Sequence, residues 1–123
     1  MTIRCLIVDD NESFLEAARV LLEREGLGVA GVASGGADAF RQVETLHPDV
    51  VLVDIFLGEE SGLELARRLV ENGPGDEVTV ILISTHAEAD VADLVATNPA
   101  AGFLAKAELS ATSIRRMVDE HRR

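Results

Sequence analysis

The amino-acid sequence predicts an α/β fold: a doubly wound, five-stranded parallel sheet with helices on both faces. Three observations carry this prediction. Short β-branched and aliphatic runs alternate with amphipathic helical segments five times along the 123 residues. Three of those runs, 3–8, 50–53 and 78–83, are almost continuously apolar, as central strands covered on both faces must be. The connections are short, and right-handed crossovers then leave few strand orders, of which two doubly wound ones stand out.

The elements follow in order. The first strand, 3–8, leads to Asn11, a residue suited to cap a helix in which Phe14, Ala17, Ala18, Leu21 and Leu22 recur at helical spacing. Gly26 stops that helix. Residues 28–32 read as a second strand, less apolar and therefore nearer an edge. Ala37, Phe40, Val43 and Leu46 mark a second helix, which Pro48 ends. After the third strand, Ser61 and Glu64 have capping-box spacing ahead of Leu65, Leu69 and Val70, and Gly73-Pro74-Gly75 breaks the helix they start. The fourth strand is followed by a helix through Val91, Leu94 and Val95, closed by Asn98-Pro99. Residues 101–104 form a short fifth strand, and Ser110 begins a last helix with Ile114, Met117 and Val118 on one face.

Composition narrows the function. The formal charge is −11, and the aromatics are four Phe with no Trp or Tyr. Nucleic-acid binding needs a basic surface and stacking platforms, so neither DNA nor RNA is an expected partner. The chain has no apolar run of membrane-spanning length and no signal-peptide pattern, so no membrane role is expected and a cytoplasmic location is. Cys5 is the only cysteine, which rules out an internal disulfide or a cysteine-based metal cage; among Ile3, Leu6, Ile7 and Val8 it reads as a small core residue. Ten of the eleven basic residues are Arg, and the single lysine is Lys106.

Ligands in doubly wound sheets bind beyond the carboxyl ends of the strands, where the strand order reverses. There the sequence places Asp9 and Asp10, then Asp54, then Ser84, Thr85 and His86, then Lys106. Two carboxylates about 5 Å apart repel by roughly 3 kcal/mol at an effective dielectric near 20. A cluster of three needs a counter-charge, and a hard dication with oxygen ligands such as Mg²⁺ fits that need.

Four motifs stand in order and register: Val8-Asp9-Asp10, Val53-Asp54-Ile55, Ile83-Ser84-Thr85 and Gly102-Phe103-Leu104-Ala105-Lys106. Asp10 and Asp54 lie 44 positions apart, Ser84 and Lys106 22. From Ile3 to about Val118 the chain resembles the receiver domains of two-component response regulators. The resemblance implies the flavodoxin-like strand order 2-1-3-4-5. It implies that residues 1–123 form a single receiver domain with no output domain.

The same resemblance implies the roles. Asp54 would be the phosphoacceptor. Asp9, Asp10, Asp54 and the backbone carbonyl of Phe56 would hold Mg²⁺ or Mn²⁺. Lys106 would pair with Asp54 and then with the phosphoryl group. Ser84, with Thr85 as its neighbouring candidate, would donate a hydrogen bond to a phosphoryl oxygen, and Phe103 would change packing as Ser84 moves. The physics agrees: phosphoryl transfer is mostly positioning and charge stabilisation, and a lysine is a compact point charge for it. Phosphorylation would then bias a two-state partner surface around the fourth helix, fifth strand and fifth helix. Implied partners are a histidine kinase or phosphotransfer protein and an output domain or downstream protein, with room for a phosphorylation-linked homodimer. The domain would be a signalling switch that catalyses only its own phosphorylation and dephosphorylation.

The chain departs from the family pattern in places. Ala107 stands where many members have a proline, so a trans bond after Lys106 and a reshaped loop are expected. The loop after Asp54 reads Ile55-Phe56-Leu57-Gly58-Glu59-Glu60, without the frequent Met-Pro-Gly. Phe56 cannot orient water, so slow self-dephosphorylation is expected, with His86 as a residue that could counteract it. Rival functions lack their residues. A flavin carrier needs a small-residue phosphate loop where Asp9-Asp10-Asn11-Glu12 stands, and a dinucleotide enzyme needs a Gly-x-Gly-x-x-Gly turn that is absent. A dehalogenase-like phosphatase needs an acid where Phe56 stands. The remaining alternative is a receiver-like interaction module that is never phosphorylated.

Overall fold

Each apolar run becomes a strand of one parallel sheet, and each amphipathic segment a helix laid against it. The computed structural model describes residues 2–73 and 78–123; the helix-breaking Pro74 and Gly75 lie outside the described residues. The order is β1 (Arg4–Val8), α1 (Glu12–Arg24), β2 (Gly28–Ala33), α2 (Gly36–Leu46), β3 (Val50–Asp54), β4 (Phe56–Leu57), β5 (Glu60–Ser61), α3 (Gly62–Asn72), β6 (Thr79–Ser84), α4 (Glu88–Ala96), β7 (Gly102–Ala105) and α5 (Ala111–His121). The main sheet runs β2-β1-β3-β6-β7, the flavodoxin-like order, with the less apolar β2 at an edge as expected. The remaining pair, β4 and β5, is a small antiparallel hairpin that the periodicity does not announce.

Alternation along the strands splits the core into two layers. Leu6, Val8, Val51, Val53, Val80 and Leu82 face a cluster holding Val43 of α2, Leu65 and Leu69 of α3 and Val91 of α4. Cys5, Ile7, Leu52, Ile81 and Ile83 face the opposite cluster, with Leu15 and Leu22 of α1 and Ile114 and Val118 of α5. Each aliphatic side chain fully buried this way contributes about 1.5–3 kcal/mol relative to exposure. Cys5 is fully buried, and burial pushes its thiol pKa far above the ordinary value, so it is an inert core residue.

The helix ends follow their caps. Asn11 Oδ1 accepts from the Phe14 amide at 3.1 Å. Ser61 Oγ accepts from the Glu64 amide at 3.2 Å. A reciprocal capping box forms at α5 instead, between Ser110 and Ser113. After β7 the chain turns through a short 3-10 segment, Lys106–Glu108. No peptide bond among the described residues is cis, so the bond after Lys106 is trans as expected. No helix among the described residues is long and apolar enough to cross a membrane.

The register levels the strand ends. Val8 pairs with Val53, Asp54 with Ile83, and Ser84 with Ala105. The residues that follow each strand therefore share one rim.

Candidate functional site

The rim gathers Asp9, Asp10, Asp54 and Lys106. Asp9 directly follows β1 and is fully buried; Asp54 is the last residue of β3 and is 7% exposed. Each has one carboxylate oxygen tied to backbone: Asp9 Oδ1 accepts from the Asn11 amide at 2.8 Å and Asp54 Oδ1 from the Phe56 amide at 3.1 Å. Their other oxygens turn to Lys106, whose Nζ lies 2.5 Å from Asp9 Oδ2 and donates to Asp54 Oδ2 at 3.2 Å. Lys106 comes from the 3-10 turn after β7, and its ammonium also sits 4.1 Å from the centre of the Phe14 ring on α1.

The electrostatics are unbalanced. Burial pushes the Asp54 carboxyl above its ordinary value, and the Asp9 charge pushes it further, while the Phe56 amide and Lys106 pull it down. One ammonium faces three carboxylates. One oxygen from each of Asp9, Asp10 and Asp54 lies within 4.8 Å of the others. Asp9 Oδ2 is buried and makes no hydrogen bond, the Lys106 ammonium 2.5 Å away being its charge partner. Three carboxylates converging with one ammonium to offset them are the donor set of a hard cation, so the residues present fit a metal ion. Asp10, unlike its neighbours, is exposed.

The loop after Asp54 folds against this cluster. The β4–β5 hairpin pairs Phe56 with Ser61 and Leu57 with Glu60. Gly62 closes it, its amide donating to the Ile55 carbonyl at 2.9 Å. A Cβ at Gly62 would overlap the Asp54 carbonyl oxygen, so the close approach requires glycine there.

The remaining residues singled out in the sequence gather around the end of β6, between β3 and β7. Ser84 is buried at the end of β6, and its hydroxyl is held by His86, through the ring Nδ1 at 3.1 Å and the backbone amide at 3.1 Å. Thr85 is exposed. Phe103 packs in the α2–α3–α4 layer, in the cluster that also holds Val91. The Phe56 side chain is 50% exposed and tilts against the His86 ring at 5.4 Å. The structure thus brings the three acids and Lys106 together and keeps Ser84 engaged with His86. Sequence reasoning missed two partners of the lysine. Asp9 was read only as a metal ligand, and Phe14 only as helix core.

Comparison with known proteins agrees with this arrangement. A sequence model described as the response regulator receiver domain matches residues 5–119. "Response regulator UvrY" of Escherichia coli (strain K12) is 35% identical over 105 residues, covering 85% of this chain and 47% of that protein. The signal receiver domain of a modulated diguanylate cyclase from Desulfovibrio desulfuricans G20 superposes with a TM-score of 0.78 at 29% identity, over 99% of this chain and 94% of that one. A response regulator protein from Burkholderia pseudomallei, solved with a phosphorylated aspartic acid, a calcium ion and citrate, superposes with a TM-score of 0.76 at 26% identity, over 94% of this chain and 66% of that one. The chain spans half or less of the length of the curated relatives it matches, from 22% to 50%.

Proposed function

This chain belongs to the response regulator receiver domain family, and from that premise we propose that it is a phosphoacceptor switch in which Asp54 takes a phosphoryl group in a Mg²⁺-dependent reaction. The observation that carries the reading is the Lys106 ammonium set between Asp9 and Asp54, 2.5 Å from one and 3.2 Å from the other, where one oxygen from each of Asp9, Asp10 and Asp54 lies within 4.8 Å of the others. The phosphorylated aspartic acid and calcium ion of the related Burkholderia pseudomallei protein support it by analogy.

Asp9, Asp10, Asp54 and the Phe56 carbonyl would hold the Mg²⁺ or Mn²⁺ ion, which supplies positive charge to the phosphoryl oxygens. Asp54 contributes the nucleophile. Its carboxylate oxygen bonds to phosphorus as the P–N bond of a phosphohistidine, or the P–O bond of a small donor, breaks and the electron pair leaves with the donor. Lys106 neutralises Asp54 beforehand and stays beside the phosphoryl group after transfer. The transfer adds about −1.5 to −2 charge and three acceptor oxygens, which draw the Ser84 hydroxyl from His86. Thr85 is its neighbour in that role, and Phe103 repacks between β7 and α4. That motion changes the surface of α4, β7 and α5, where partners bind. The partners are a histidine kinase or phosphotransfer protein upstream and an output domain or downstream protein, with a homodimer of phosphorylated chains as one form of output. Phe56 cannot position water and leans on His86, so the acyl phosphate hydrolyses slowly.

The test is a mass shift. Incubation with acetyl phosphate and Mg²⁺ adds about 80 Da, lost in Asp54→Asn and on chelation. No adduct, or an adduct that survives Asp54→Asn, rejects the phosphoacceptor reading and leaves an interaction module.

A further inference from the structure

The N-terminus of α2 lacks a cap of its own. Gly35 occupies the cap position and makes no side-chain hydrogen bond, which leaves the first amides of the helix to find acceptors elsewhere. They find one 24 residues away. The Gly36 amide donates to both carboxylate oxygens of Glu60, at 3.2 and 3.3 Å. The helix dipole favours a negative charge in that position.

The fit depends on two glycines. A Cβ on Gly35 would lie 2.8 Å from Glu60 Oε1, and a Cβ on Gly36 would lie 2.9 Å from Glu60 Oε2. A side chain at either glycine would push the carboxylate from its present place against the backbone. Glu60 in turn is half of the β4–β5 hairpin, paired with Leu57. The hairpin turns at Gly58, which has a positive φ of 58° and whose Cβ, if present, would lie 3.2 Å from Asp10 Oδ2. The turn is therefore pressed against Asp10, and Phe56, at the start of the hairpin, follows Asp54 by two residues. A bond from Glu60 to α2 fixes the loop that carries the Phe56 carbonyl and bounds Asp10.

We propose that Glu60 is a positioning residue of the metal site: by capping α2 at Gly36 it holds the β4–β5 hairpin where Phe56 and Asp10 meet the ion. The inference rests on the metal-dependent reading above and concerns this chain's own residues. Glu60 touches neither the phosphoryl group nor the ion; it acts through the hairpin.

Mn²⁺ binding to the whole chain, followed by electron paramagnetic resonance, tests this without any phosphodonor. Glu60→Ala should raise the Mn²⁺ dissociation constant about fivefold, the scale of a lost helix cap. Glu60→Gln keeps an acceptor oxygen and should stay within about twofold of the unaltered chain. Gly36→Ala, which shuts the carboxylate out, should match Glu60→Ala, and the double variant should lose no more than either. Equal affinity of Glu60→Ala and the unaltered chain overturns the tether. So does a Glu60→Gln loss as large as that of Glu60→Ala, since the effect would then be charge at a distance and not the cap. Failure of the unaltered chain to bind Mn²⁺ at all overturns the metal-dependent reading, and the tether falls with it.

Discussion

Two parts of the rim, the acid–lysine cluster and the β6–α4 loop region, are built differently. In the acid–lysine cluster, Asp9 is fully buried and Asp54 nearly so, each is tied to a backbone amide, and Lys106 lies between them. In the β6–α4 region, Val91 is the one fully buried residue of α4. The cap position, Ala87, offers no side-chain bond, and Leu94 is 43% exposed. The first part is fixed by charges that constrain one another. The second is held by Val91, by the partly buried Val95, by the Ser84–His86 contact and, beyond the helix, by the Asn98 side chain donating to the Leu63 carbonyl. A chemical centre needs its groups preorganised, whereas an element that changes state needs few contacts to give up. The uneven packing matches that division of labour.

Removing the lysine should produce the largest effect. Lys106→Ala leaves Asp9 and Asp54 buried with no counter-charge, and breaking such a pair costs about 3–5 kcal/mol. In the absence of divalent ions at neutral pH, a drop in Tm of roughly 12–20 °C is expected. Added Mg²⁺ should recover part of it. A variant that melts with the unaltered chain would show that the acid–lysine cluster is not the over-determined part.

A smaller effect of opposite sign is expected at Asp54. Its pKa is raised in the fold, chiefly by burial. A raised carboxyl favours the fold at pH values below the unfolded carboxylate pKa and loses that contribution as pH rises through the folded value. At neutral pH the ionised Asp54 is thus a net cost. Asp54→Asn should gain about 1 kcal/mol there, part of the repulsion of two acids less the lost Lys106 contact. The gain should vanish as pH falls below the carboxylate range. Mg²⁺ at 100 times its Kd should reverse the ranking, because it adds about 2.7 kcal/mol to the chain that binds it and less to the variant. Denaturant melts across pH, with and without Mg²⁺, read both signs. A loss at neutral pH without metal would mean that Lys106 outweighs the repulsion.

How much of this was legible in the sequence depends on the range of each interaction. The five sheet strands and the five helices follow from apolar runs, Asn11, Ser61 and Ser110, because burial and capping act within a few residues, whereas the order of the strands came from the resemblance to receiver domains. Asp10, Asp54 and Lys106 were legible as a set because three acids at strand ends need a counter-charge and the chain has one lysine. The hairpin of Phe56–Leu57 with Glu60–Ser61 was not legible, since two-residue strands are too short to show alternation. Nor was the Glu60 cap of α2, whose donor lies 24 positions away and whose only local sign is a pair of glycines where a Ser or Asp would ordinarily stand. The closeness of Lys106 to Asp9 and to the Phe14 ring comes from where the 3-10 turn after β7 delivers the ammonium, and no periodicity encodes that.

The smallest effect falls in the loosely packed part and separates the two most directly. His86→Ala deletes the ring nitrogen that meets Ser84 Oγ at 3.1 Å, while the backbone amide of residue 86 still reaches that oxygen. One of two hydrogen bonds at a partly exposed site is worth about 0.5–1 kcal/mol, so the global Tm should move by only a few degrees. The local consequence should be clearer. Amides of α4, with Val91 as their one fully buried anchor, should exchange about twofold to fivefold faster, whereas those of β1 and β3 keep their protection. Faster exchange spread evenly across α4, β1 and β3 would show one cooperative unit. No change in α4 would show that its stability does not depend on the Ser84–His86 contact. Only acceleration confined to α4 sustains a rim with one rigid part that binds charge and one yielding part that can move.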